Sequence, residues 1–146
     1  MSLSLVEMGL VTGVLERIYR SFVFTHSANG LFYVVMLILG VLFLLAMATA
    51  HVANFPLPRW LWRAPAFALV ECAGEMATSL LLIWVGREPY GSVRAEWHDW
   101  PAMAMGTLAT RGLAVMLWTL LLAGIVLVVR RVMADAVEEE RAPRQA

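Results

Sequence analysis

Pro65–Gly86 reads PAFALVECAGEMATSLLLIWVG, and the interpretation of these 22 residues decides the fold. The segment is long enough to cross a bilayer, whose ~30 Å hydrocarbon core takes ~20 residues of helix. It nevertheless carries Glu71 and Glu75, four residues apart and therefore on one helix face. Its flanks are almost wholly apolar, and Pro65 suits a first helical turn, where no backbone donor is missed. The segment is read as a span with two carboxylates inside it.

Working outward, the chain supports that setting. Hydrophobic residues make up 61% of its 146 positions and charged residues only 15%, and the mean hydropathy is +0.74, far from a soluble domain. Leu31–Ala50 is a run of twenty residues without a charge, and Gly112–Val129 is one of eighteen. Each is close to a single crossing. The expected fold is an all-α integral membrane protein, one membrane domain with spans at residues 30–53, 64–86 and 102–132. A charged tail at 135–146, DAVEEERAPRQA, is short of apolar residues and expected to be disordered. Three helices make a thin bundle, so contacts with lipid, with other membrane subunits or with further copies of the chain are expected.

Residues 2–24 have no basic residue before Arg17, unlike a secretory signal, and are expected to be retained. Leu3, Val6, Leu10, Val14, Ile18 and Phe22 recur at three- and four-residue spacing, while Glu7, Glu16, Arg17 and Arg20 mostly fall off that stripe. This pattern predicts an amphipathic helix lying in the membrane interface. The alternative, a fourth span, requires partners for those charges inside the bundle. In the break His26–Gly30, Ser27 or Asn29 can cap the next helix. Trp60, Trp62, Trp97 and Trp100 suit the headgroup level. With three spans, Arg59, Arg63, Arg130, Arg131, Arg141 and Arg144 fall on one side, against Arg17, Arg20, Arg87 and Arg94 on the other. The positive-inside rule then gives a multi-pass protein of the bacterial inner membrane, amino terminus outside and carboxyl terminus inside.

The candidate site is an intramembrane polar cluster of Glu71, Glu75, Arg111 and His51. Glu75 falls near the middle of its span and Glu71 on the order of 10 Å in. Two carboxylates so close are not both comfortable as anions unless paired, hydrated or protonated. Arg111 stands on the antiparallel third span, in a stripe with Thr107, Ala114 or Val115, and Trp118, and is placed to reach Glu75. His51, near the end of the first span, is placed to reach Glu71. Three roles follow: a structural lock within the chain or against a partner, proton or cation handling, and a cofactor or substrate contact. His51 is the only candidate contact for haem, pigment or quinone, and no cofactor is assigned. No HExxH or CxxC motif points to a metal. Cys72, the single cysteine, lies off the acidic face and has no second thiol in the chain to bridge. Ala73 and Ala77, or Gly74 and Thr78, have the spacing that permits close helix contact.

There is no phosphate-binding loop, nucleotide fingerprint or GxSxG, and no basic stretch interleaved with aromatics. These absences disfavour soluble catalysis and nucleic-acid binding, and no catalytic residue is assigned.

The order of an amphipathic start, a span, the turn FPLPRW at Phe55–Trp60 and an acidic span is similar to the small membrane subunit of tripartite periplasmic transporters. The paired glutamates that follow the turn in that family are absent. The three-span plan also resembles the small membrane anchors of respiratory complexes, without their histidine arrangement. No residue role is carried over from either. The function expected is that of a small non-catalytic membrane subunit of an electron-transfer or solute-transport assembly, with the acidic pair and Arg111 fixing its assembly. The alternatives are a homo-oligomeric proton- or cation-coupled transporter or channel using Glu71 and Glu75, and a haem, pigment or quinone anchor using His51.

Overall fold

The computed structural model describes residues 4–26, 30–90 and 93–141, with side chains to residue 136. The first helix, α1 (Leu5–His26), opens with a reciprocal cap: the Ser4 amide donates to Glu7 Oε2 at 2.8 Å and the Glu7 amide to Ser4 Oγ at 3.2 Å. That capping box satisfies two donors otherwise left bare at the helix start. Helix α2 is Gly30–Val52. The proposed caps Ser27 and Asn29, and Leu3 of the apolar stripe, lie outside the described residues.

After α2 the chain turns through a single 3-10 turn at Leu57–Arg59, held by Trp60 Nε1 donating to the Phe55 carbonyl at 3.0 Å. Helix α3 is Trp60–Trp84, with Pro65 one turn in. It stops at Gly86, whose φ of +64° only glycine adopts without strain. There Arg87 N bonds the Leu82 carbonyl and Gly86 N that of Ile83, a Schellman closure of the helix. A two-residue hairpin, β1 (Pro89–Tyr90) against β2 (Val93–Arg94), leads into α4. Helix α4 runs from Trp100 to Arg141, 42 residues and about 63 Å. The tail expected to be disordered from residue 135 is helical to Arg141; residues 142–146 lie outside the described residues.

Three helical segments, Gly30–Val52, Leu57–Trp84 and Trp100–Ala136, are long and apolar enough to cross a membrane. The four helices alternate in direction. Tyr19 bonds the Met36 carbonyl and Phe24 meets Tyr33, so α1 and α2 are antiparallel. Gly9 lies on Val70, Gly13 on the Glu71–Glu75 turn and Arg17 on Glu75 and then Glu88, so α1 runs alongside α3 in the same direction. Trp100 Nε1 donates to the Met76 carbonyl at 3.2 Å and Arg111 reaches Glu75, so α4 returns antiparallel to α3.

The α1–α3 contact corrects the expectation of a helix lying apart on the surface. The apolar stripe is there but faces outward, with Val6, Ile18 and Phe22 more than half exposed, while Gly9, Thr12, Gly13, Glu16 and Arg17 are buried. The charges have the partners that the surface reading supposed they lacked. A Cβ at Gly13 would fall 2.0 Å from the Glu71 carbonyl oxygen, and one at Gly74 2.7 Å from that of Leu10. Glycine is therefore what allows these two backbones to touch. Below this crossing Met8, Leu44, Ala48, Ala64, Phe67, Ala68 and Val115 form the apolar core.

Helix α4 outruns the bundle. Trp118 Nε1 donates to Thr49 Oγ1 at 2.8 Å, three residues short of the end of α2. From Gly124 to Ala136 nearly every residue of α4 is exposed.

Candidate functional site

The glycine-mediated crossing brings seven ionisable side chains together within the bundle: Glu16, Arg17 and Arg20 from α1, Glu71 and Glu75 from α3, Glu88 just after α3, and Arg111 from α4. Glu75, fully buried, is the hub. Its Oε1 pairs with Arg17 at 3.3 Å and Arg20 at 2.9 Å, and its Oε2 with Arg111 Nε at 3.3 Å. Arg111 also donates through its other nitrogen to Glu16 Oε2 at 3.1 Å, and Arg17 pairs with the buried Glu88. A guanidinium forks its donors in a plane, so Arg17 and Arg111 each bridge two carboxylates without losing either.

Four carboxylates thus meet three guanidiniums. Among the described residues the carboxylate without an ion pair is Glu71: its side chain is fully buried and neither oxygen has a hydrogen-bond partner there. It stands one turn from Glu75, on the α3 face that Gly13 covers.

Of the residues expected in the site, Glu75 and Arg111 are in contact, in the geometry the antiparallel spans imply. His51 is not joined to Glu71. It is buried at the far end of α2, its ring 5.5 Å from that of Phe67 and 5.4 Å from that of Phe55, with Nε2 unpartnered. Phe67 and its apolar neighbours occupy the region where a His51–Glu71 contact was expected. Cys72 is buried and free. Of the stripe on α4, Thr107, Arg111 and Val115 are buried, and Trp118 turns to Thr49 of α2. Ala73 and Ala77 are exposed, whereas Gly74 and Thr78 are buried and Gly74 lies against α1. Among the described residues, no group of three or more histidine, cysteine or acidic side chains is arranged to hold a metal ion.

Glu16, Arg17, Arg20 and Glu88 belong to the site and were not expected in it. The sequence carried a signal for the first three: Gly9, Gly13, Glu16, Arg17 and Arg20 share one helix face. Small residues in line with charges mark a face that packs closely against another helix. Glu88 has no such signal, because the turn that brings it back to Arg17 is set by Gly86 and the hairpin.

The network has unequal surroundings. Towards the hairpin, a cavity of about 680 Å³ is bordered by Ser21, Thr25, His26, Arg87, Glu88 and Arg94. Towards His51 the apolar core closes it. Sideways, a second cavity of about 640 Å³ lies between α1 and α2 and has Glu16 in its wall.

Comparison with known protein families, with curated proteins and with solved structures finds no match to this chain.

Proposed function

We propose that this chain is an integral membrane protein of four crossing helices whose buried glutamate–arginine network binds and releases a proton or small cation during transport. The observation that carries the reading is the imbalance within the bundle, with four carboxylates, three guanidiniums and a Glu71 carboxyl that has no hydrogen-bond partner among the described residues. A buried ion pair has little net stability over apolar side chains of similar volume. Folding alone therefore gives no reason for seven ionisable groups here, whereas ionisable residues within a membrane mark ion pathways and proton relays. One proton or one cation restores neutrality, and two carboxylates a turn apart can share it.

The surroundings suggest a direction. The polar cavity leads to Glu88, Arg17 links Glu88 to Glu75, and Glu71 and Glu16 lie beyond. The apolar core separates this route from the opposite end. In this reading α1 is a span, since it is about 33 Å long and lies alongside α3. Both chain ends then share one side, with Arg59, Arg63, Arg130 and Arg131, against Arg87 and Arg94 at the hairpin end. By the positive-inside rule both ends are cytoplasmic.

The test is reconstitution in liposomes carrying a pH-sensitive dye inside. An imposed pH gradient should collapse faster with the protein, and Glu71→Gln and Glu75→Gln should remove the effect. Folded wild-type protein that leaves both the pH gradient and, in a parallel assay with a sodium-sensitive dye, an imposed sodium gradient untouched would rule the proposal out.

A second reading, a small non-catalytic subunit of a membrane assembly, is favoured by α4. Its apolar residues Ile125–Val129 lie past the end of α2 and are mostly exposed. Purification from the host in mild detergent with a carboxyl-terminal tag tests this: partners in fixed ratio support it, and a chain recovered alone counts against it.

A further inference from the structure

The lateral cavity between α1 and α2 has one ionisable carboxyl in a wall that is otherwise apolar and aromatic. Tyr19, Phe22, Met36, Leu39 and Phe43 line it, and Glu16 sits in its depth. The Glu16 side chain is only 2% exposed and is anchored by Arg111, which donates to Oε2. Its other oxygen, Oε1, is buried and has no hydrogen-bond partner among the described residues. Gly40 leaves space beside this carboxylate: a Cβ there would lie 3.4 Å from Glu16 Oε2 and 3.2 Å from the Tyr19 ring. Tyr19 is fixed in turn by donating to the Met36 carbonyl at 2.8 Å. The site is therefore a built one, with an anchored carboxylate, one free acceptor, and aromatic rings around the approach.

We propose that this cavity binds a membrane-soluble organic cation, an apolar body bearing a protonated amine whose N–H donates to Glu16 Oε1. Three features favour a cation over other lipophiles. The free group is an acceptor that belongs to an anion, so an ammonium donor gains a charge-assisted bond. Tyr19, Phe22 and Phe43 line the approach, and aromatic rings attract cations. The network behind Glu16 is one positive charge short, and an amine at Oε1 supplies it. Leu39 and Phe22 are about half exposed on the outer side of the bundle, so a ligand enters sideways from the hydrocarbon. The proposal rests on the membrane placement given above and not on proton turnover, so a binding assay separates the two.

Protein in nanodiscs of neutral phosphatidylcholine is titrated with radiolabelled dodecylammonium, dodecanol and dodecanoate in turn, with empty nanodiscs as the baseline. The amine should bind saturably above the baseline and the other two should not. Glu16→Gln should weaken amine binding at least tenfold. Leu39→Trp, which fills the cavity without touching any ion pair, should abolish it, and it decides the matter if the glutamine variant fails to fold. Equal binding of all three amphiphiles would mean a groove that merely seats acyl chains. That result, or amine binding unchanged in Leu39→Trp, overturns the proposal. Amine binding in a protein that leaves both the pH and the sodium gradient intact would keep this site and remove only the transport reading.

Discussion

Replacing Gly13 by alanine tests the contact on which the whole arrangement depends. The added methyl would lie 2.0 Å from the Glu71 carbonyl oxygen and 2.6 Å from the Glu75 amide nitrogen, both backbone atoms that cannot swing away. Carbon makes ordinary contact near 3.5 Å or beyond, so α1 and α3 must part by on the order of 1 Å. Overpacking of that kind costs about 1–3 kcal/mol. Separation also stretches the Arg17–Glu75 and Arg20–Glu75 pairs, now 3.3 and 2.9 Å, and breaking a buried pair costs about 3–5 kcal/mol. Because the long arginine side chains follow part of the movement, the expected loss is about 4 kcal/mol, near a thousandfold in the folded-to-unfolded ratio. The assay is reversible unfolding in mixed micelles by sodium dodecyl sulfate, followed by circular dichroism. Gly112→Ala on α4 is the control: nothing lies within 4 Å of a Cβ there, so alanine should be neutral or stabilise by up to about 1 kcal/mol. If Gly13→Ala is as stable as Gly112→Ala, α1 does not pack on α3 and the network does not exist as described.

The two glutamates of α3 should differ sharply in the same assay. Glu75→Gln leaves Arg17, Arg20 and Arg111 without their common anion and should cost about 3–5 kcal/mol. Glu71→Gln removes no ion pair and should stay within about 0.5 kcal/mol of the wild type; a reversal of this order would show that Glu71 is the charged centre. Cys72, 7% exposed, should resist a maleimide in mild detergent and react once the bundle is unfolded, and rapid labelling of the native protein would contradict its burial. Ser4→Ala breaks the cap shared with Glu7 and should cost about 1 kcal/mol, read as a shift in the unfolding midpoint.

Two of the three long apolar helices were legible because a charge-free run of eighteen to twenty residues has few other uses, and the third, with Glu71 and Glu75 inside it, because its flanks are almost wholly apolar. The Arg111–Glu75 contact was legible for a related reason: antiparallel neighbours place a long basic side chain opposite an acid. The place of α1 was not. An apolar stripe with charges behind it describes a helix floating on a membrane and equally one turned inside out, apolar to the exterior and charged to the core. Only the line of Gly9 and Gly13 through Glu16 and Arg20 separates the two, because a surface helix has no need of backbone contact on its charged face. The link from His51 to Glu71 failed because a similar depth is not contact: Phe67 and its neighbours fill that part of the bundle. Glu88 depends on where a hairpin folds back, which periodicity does not encode.

The inverted polarity of α1 bears on how the protein is made. Glu16 finds Arg111 across 95 residues of chain, and Arg17 finds Glu75 across 58. When α1 leaves the ribosome its charges have no counterparts, and a lone helix carrying them is a poor candidate for lateral release into lipid. Translocation machinery would take α2 first. In the four-span reading proposed above, integration of α1 then waits for the α3–α4 hairpin, so a helix that precedes its partners in the chain is seated after them.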